Sequence, residues 1–266
     1  MTSLQIALLA SVQGITEFLP ISSSGHLALV PILTGWADQG LLFDIAVHLG
    51  TLGAVIAYFW RDSWTAVKGL FRLFGGSSSP DAQLATNLIV ATIPIVGAGA
   101  AVIYFDLSDL WRNAEVIGWS MLGFGILLYA ADRLGMTVRR VEHMRASAAL
   151  MIGVAQVAAL IPGTSRAGIT MTAARLLGFE RGESARFSML LSIPTIFAAG
   201  LVSIYGIANS QDLALGMDAI IAAGCALVAA LLAIVLLMAW LRRQSFTPFV
   251  IYRVAVGAVL LYWVYS

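Results

Sequence analysis

The chain has 266 residues, of which 60% are hydrophobic and only 11% charged, and its net charge is +1. Soluble domains are nearer 25% charged, so the composition excludes an ordinary soluble fold. It predicts an all-α polytopic membrane protein with length for about six to ten spans of roughly 20 residues. No basic stripe exists to meet a nucleic acid, and the single Cys225 excludes an internal disulfide.

In chain order, residues 4–34 hold two short apolar segments, 4–18 and 26–34, either side of a polar run. No basic region precedes them, so no cleaved signal peptide is expected. Spans follow at 43–60, 84–104 and 113–131, with residues 75–83, rich in Gly and Ser, reading as a mobile cytoplasmic linker. The second half repeats the plan. Short segments 147–161 and 167–178 flank another polar run, then come spans at 187–206, 216–241 and 246–264, of which 216–241 is long enough to tilt.

Basic residues orient these spans. Twelve of the 15 Lys and Arg fall in 61–83, 132–146, 175–186 and 241–245, whereas the connections 35–42, 105–112 and 207–215 carry only Arg112. The positive-inside rule makes the first set cytoplasmic and the second external. Threading the chain then forces 147–178 to enter and leave on the cytoplasmic face, and 4–34 on the external face. Each is predicted to be a re-entrant hairpin, the first with Pro20–Gly25 at its tip and the second with Pro162–Arg166. One membrane domain, 1–266, would thus consist of two halves of opposite orientation, about 1–131 and 147–266, an inverted-topology repeat with six transmembrane helices. Phe18-Leu19-Pro20-Ile21-Ser22-Ser23 aligns with Leu160-Ile161-Pro162-Gly163-Thr164-Ser165 at a spacing of 142. The alternative is that each short pair forms two very short full spans.

Hairpins from opposite faces meet near the midplane, where irregular backbone is tolerated only against protein or a wet cavity. Buried charges there are functional candidates, and Glu17 and Arg166 occupy the two tips. Gln13 and Glu17 share a helix face. Pro20 stops that helix, and Ser22, Ser23, Ser24 and Gly25 turn the chain into a second helix with His26 in its first turn. At the other tip Gly163, Thr164 and Ser165 open a helix that begins at Arg166. Hydroxyls, free N–H groups and a guanidinium at a helix start suit phosphate. A neighbouring carboxylate, imidazole and serines suggest phosphoryl transfer, with Glu17 holding a divalent cation and Ser23 or His26 attacking phosphorus. Elsewhere, Asp44 and His48 read as a local pair or cavity rim at an external span end. Arg253 reads as an arginine snorkelling to the cytoplasmic face, and the 132–146 loop as a topology signal that also touches anionic lipid.

These motifs resemble one family over the whole chain, the bacterial undecaprenyl-pyrophosphate phosphatases of the bacitracin-resistance type. Gln13-x-x-x-Glu17 is similar to the family's acidic motif, Pro20-Ile21-Ser22-Ser23-Ser24-Gly25-His26 to its serine-histidine motif, and Pro162-Gly163-Thr164-Ser165-Arg166 to its second signature. The resemblance implies an enzyme of the bacterial inner membrane whose site opens to the external side. Such an enzyme hydrolyses the C55 polyprenyl diphosphate to the monophosphate, recycles the lipid carrier of peptidoglycan synthesis and confers bacitracin resistance. It implies Glu17, Ser23, His26 and Arg166 as core residues, Gln13, Ser22, Ser24, Gly25, Gly163, Thr164 and Ser165 as substrate contacts, and Mg²⁺ or Ca²⁺ on Glu17. Many members carry Glu where this chain has Gln13, which leaves the metal preference open. Ser23 as nucleophile with His26 as its proton partner is the expected mechanism. The oligomeric state stays open, a dimer being one option. The rival reading is a transporter or flippase of polyprenyl phosphate or another anion, since broken helices meeting at the midplane also build transporters.

Overall fold

A computed structural model describes residues 2–36, 40–76, 79–107, 111, 113–135, 138–208 and 217–266. Among them every regular element is helical: α1 (Ser3–Phe18), α2 (Ser23–Thr34), α3 (Leu41–Tyr58), α4 (Trp60–Phe74), α5 (Pro80–Tyr104), α6 (Ala114–Leu134), α7 (Ala146–Gln156), α8 (Arg166–Leu176), α9 (Arg181–Ala208), α10 (Met217–Leu241) and α11 (Thr247–Tyr265). Helix α5, α6, α9, α10 and α11 are long and apolar enough to cross a membrane, and α3 joins them when taken with α4. The chain is a multi-span membrane protein.

Local chemistry sets the helix starts. Thr2 and Gln5 form a reciprocal capping box at α1. Ser79 caps α5 ahead of Pro80, and Asn113 caps α6. Between the first expected span and the expected linker, Arg61, Lys68 and Arg72 lie on α4, a helix bent by 94° from α3. The expected linker is shortened, since Ser79 and Pro80 already start α5. Residues 77–78 of the linker, and 37–39, 108–110, Arg112 and 209–215 of the connections 35–42, 105–112 and 207–215, lie outside the described residues.

Packing pairs corresponding elements. Helix α1 lies on α10, and α7 lies on α5; α3 also contacts α10, and α9 also contacts α5. Both contacts need a glycine for backbones to approach closely. A Cβ on Gly14 would sit 2.6 Å from the Ala226 carbonyl, and one on Gly153 would sit 2.5 Å from the Ala91 carbonyl.

A charged cluster ties together the ends of four helices. Asp132, at the end of α6, accepts from Arg175 Nε at 3.3 Å, Arg181 Nε at 2.6 Å and the Phe246 backbone N–H at 3.2 Å. Arg175 was expected in a cytoplasmic connection, but it is fully buried in the last turn of α8. It also donates to the carbonyls of Asp132, Gly135 and Phe179. Asp132→Ala leaves a buried guanidinium without its carboxylate, a loss of about 3–5 kcal/mol. Thermal unfolding in detergent will show a clearly lower midpoint than wild type.

Candidate active site

The site grows from two helix starts of the same construction. Ser22 accepts from the Gly25 N–H at 3.3 Å, and Ser165 accepts from the Gly168 N–H at 3.0 Å. Both cap serines hold a positive φ, 78° and 70°. Non-glycine residues reach that region at a cost of about 1–3 kcal/mol, and such strain clusters at functional sites. The two caps are 143 positions apart, and so are the buried pair Gln13 and Gln156. The 142-residue spacing read from the prolines is therefore corrected by one at the helix starts.

The tips touch. A Cβ on Gly25 would lie 3.4 Å from Gly163 Cα. Gly163 has φ +90°, and a Cβ there would meet the Ile117 carbonyl of α6 at 2.7 Å, so only glycine fits. Helices α2 and α8 consequently begin side by side.

Their first residues reach one carboxylate. Ser23 Oγ donates to Glu17 Oε2 at 2.7 Å, and Arg166 Nη2 donates to Glu17 Oε1 at 2.7 Å. Gln13 Nε2, one turn back on α1, also donates to Oε2 at 2.9 Å. Arg166 Nη1 is steadied by the Ser188 carbonyl at 3.1 Å. The expected core residues Glu17, Ser23 and Arg166, with Gln13, are thus brought together from α1, α2 and α8. Facing Glu17 are Arg166 and the positive ends of two helices, an arrangement suited to an anion.

His26 makes no hydrogen bond to Ser23 among the described residues. Its Nδ1–H donates to the Ser22 carbonyl at 2.6 Å. Its Nε2, left as the acceptor, takes the Tyr252 hydroxyl at 2.6 Å, and the two rings stack with centroids 5.7 Å apart. The partner of Ser23 is Glu17. Ser24 is exposed, its hydroxyl 3.3 Å from that of Ser22. Thr164 is buried, and its hydroxyl has no hydrogen-bond partner among the described residues.

Three residues enlarge the predicted set. His48 is part of the site rather than its rim: Gln13 Nε2 lies 3.2 Å from its Nε2, while its Nδ1–H donates to the Asp44 carbonyl at 2.6 Å. Tyr252 joins through His26. Arg253 does not snorkel. It is fully buried and donates to the carbonyls of Pro20 (3.2 Å), Gly163 (3.0 Å), Ser120 (3.3 Å) and Met121 (3.2 Å). One guanidinium joins both tips to α6. The signal available in the sequence was an arginine about two turns inside an apolar span with no acid nearby.

A divalent cation fits this donor set in one way. Gln13 Oε1 is buried without a hydrogen-bond partner, because the amide turns its nitrogen to Glu17 and His48. No three His, Cys, Asp or Glu side chains converge among the described residues. With the nitrogen on Glu17 that oxygen faces away from the carboxylate, so a cation would take the Glu17 carboxylate together with the Gln13 oxygen only after the amide turns over, and would complete its shell with water and phosphate oxygens.

Comparison with known proteins agrees along the whole chain. The profile of the family described as "Bacitracin resistance protein BacA" matches residues 6–259. A protein of Ruegeria pomeroyi named undecaprenyl-diphosphatase is 54% identical over 267 residues, covering 100% of both chains. Undecaprenyl-diphosphatase 1 of Rhodospirillum rubrum is 52% identical, covering 98% of this chain and 95% of its own. The undecaprenyl-diphosphatase of Roseobacter denitrificans is 49% identical, again over 100% of both.

Proposed function

The chain belongs to the bacitracin resistance protein BacA family, and from that premise we propose that it is an undecaprenyl-diphosphatase. It hydrolyses the C55 polyprenyl diphosphate to undecaprenyl phosphate and inorganic phosphate, which returns the lipid carrier to peptidoglycan synthesis and confers bacitracin resistance. The observation that carries this reading is the meeting of Ser23, Arg166 and Glu17, a hydroxyl and a guanidinium on the two oxygens of one carboxylate.

Ser23 Oγ attacks the terminal phosphorus and passes its proton to Glu17. The bond from that phosphorus to the bridging oxygen breaks, and its electron pair leaves on undecaprenyl phosphate. The departing undecaprenyl phosphate takes the proton from Glu17. Water then gives a proton to the freed carboxylate and attacks the phosphoserine, the P–Oγ bond breaks, and Glu17 returns that proton to Ser23 Oγ as inorganic phosphate departs. Arg166 and the N–H groups opening α2 and α8 hold the phosphate oxygens, with Ser22, Ser24, Gly25, Gly163, Thr164 and Ser165 shaping that cradle. His26 holds the Ser22 turn through its carbonyl.

Mg²⁺ or Ca²⁺ on Glu17 and Gln13 would supply charge neutralisation at the diphosphate. Gln13→Glu adds a second carboxylate to that pair, and ligand charge tunes cation affinity. The Mg²⁺ concentration giving half-maximal phosphate release is expected to fall roughly tenfold; an unchanged titration removes Gln13 from the cation site.

The topology proposed is an inverted repeat with α1–α2 and α7–α8 as re-entrant hairpins meeting near the midplane. It is supported by the matched cap geometry of Ser22 and Ser165 and by the matched packing of α1 on α10 and α7 on α5. The same proposal puts the protein in the bacterial inner membrane with its site open to the external side.

The test is phosphate release by the detergent-purified chain on a long-chain polyprenyl diphosphate, with Mg²⁺, with Ca²⁺ and with EDTA. Release that EDTA abolishes is expected. A folded sample that releases none with either metal overturns the reading.

A further inference from the structure

Helix α4 is the least membrane-like of the long helices in composition, yet it exposes a continuous apolar stripe. Trp60, Trp64, Val67, Phe71 and Phe74 fall on one face at helical spacing, and all are exposed; Phe74 is 92% exposed. The other side of the helix is fixed to the protein. Gly69 is packed on the Asp81 carbonyl at the start of α5. Asp62 accepts from Arg186 of α9 at 2.7 and 3.1 Å, and Arg72 reaches Asp81 at 2.8 Å. The stripe cannot rotate inward, so something outside the fold covers it.

The direction of the helix says what. Bent by 94° from α3, it runs nearly parallel to the bilayer surface if α3 crosses it. With four charges between Arg61 and Arg72, it does not cross the core itself. A helix at this angle, with tryptophans and phenylalanines on one face and basic residues beside them, has the features of an interfacial helix. Arg61, Lys68 and Arg72 flank the stripe. Lys68 and Arg72 are each nearly half exposed, and the Arg61 guanidinium lies 5.2 Å over the Trp60 ring. Their charge complements anionic headgroups, each basic group near such a surface contributing about 1 kcal/mol.

We propose that α4 is an in-plane anchor, with its stripe sunk at the boundary between headgroups and acyl chains and Arg61 and Lys68 on anionic phospholipid headgroups. The leaflet named, the cytoplasmic one, rests on the orientation proposed above; the depth of the helix does not.

Spin labels on single cysteines from position 60 to 74, in a Cys225→Ser background, test this in lipid nanodiscs. Collisions with oxygen should peak at 60, 64, 67, 71 and 74, and collisions with a water-soluble nickel complex at 61, 68 and 72. Adding phosphatidylglycerol to phosphatidylcholine should deepen the stripe in the parent chain but not in Arg61→Gln/Lys68→Gln. Nickel access along the stripe would overturn the anchor. Dipolar broadening at Phe71→Cys would overturn it in favour of a second copy of the chain, and a depth indifferent to lipid charge would overturn the headgroup contact. Should labelled variants fold poorly, quenching of native tryptophans by shallow brominated lipid gives the same reading, since Trp60→Phe/Trp64→Phe should then remove much of it. Undiminished quenching in that variant overturns the anchor. None of these readouts requires turnover, so they fail or succeed independently of the phosphatase reading.

Discussion

Arg166→Ala should lower kcat/KM for polyprenyl diphosphate by about 10²- to 10⁴-fold. The side chain is mostly buried and makes the 2.7 Å contact with Glu17 Oε1 and the contact with the Ser188 carbonyl. Removing one partner of a buried pair costs about 3–5 kcal/mol, and each 1.36 kcal/mol is tenfold in rate. The loss should be largest in turnover, because the guanidinium also balances charge on the phosphate being transferred. Arg166→Lys should recover little of it. A lysine is a single point charge and cannot span Glu17 and Ser188 together. Phosphate release by the two variants, alongside their melting curves, checks this. A folded Arg166→Ala protein with near-normal kcat/KM would remove the residue from the reaction.

Ser23→Ala should abolish phosphate release to the assay background, while leaving the Ser22 cap and the helix intact. His26→Ala should loosen the turn at Ser22 and cost less, on the order of the 10²-fold typical for lost positioning. The chemical nature of the intermediate separates the two candidates further. With substrate labelled in the terminal phosphate, an acid quench should retain label on the wild-type protein if it sits on Ser23, because phosphoserine survives acid. Label that is lost in acid and kept in base would mean a phosphohistidine and would transfer the role of nucleophile to His26. The geometry favours the serine: His26 has both ring nitrogens engaged, on Ser22 and Tyr252, whereas Ser23 Oγ already points its proton at a carboxylate.

The central carboxylate and the guanidinium opposite it were legible in the sequence, because a charge inside an apolar helix has few reasons to be there. Their contact across 149 positions could be anticipated only through the charge bias of the connections. Arg253 was misread for the opposite reason. Its partners are backbone carbonyls, which every residue carries, so no spacing announces them. Helix α4 was not assigned in the sequence, because its apolar stripe is interleaved with charges and emerges only at helical spacing. His48 was seen beside Asp44, but its link to Gln13 is a tertiary contact between α1 and α3. The shift from 142 to 143 shows why the likeness of the two tips is better read from caps than from prolines: the cap fixes a φ and a hydrogen bond, whereas Pro20 only has to follow the helix.

The guanidinium of Arg253 bears on how this protein can move. Carriers built from opposed half-helices work by rocking one repeat against the other around a stationary site. Here a single buried cation holds both tips at once, through the carbonyls of Pro20 and Gly163, and its other bonds fasten that junction to α6. Parting the tips would strip it of those acceptors, and a buried donor left unpaired costs about 1–3 kcal/mol. The junction therefore behaves as a keystone. Separation of the two tips is opposed by the same guanidinium that fastens them to α6.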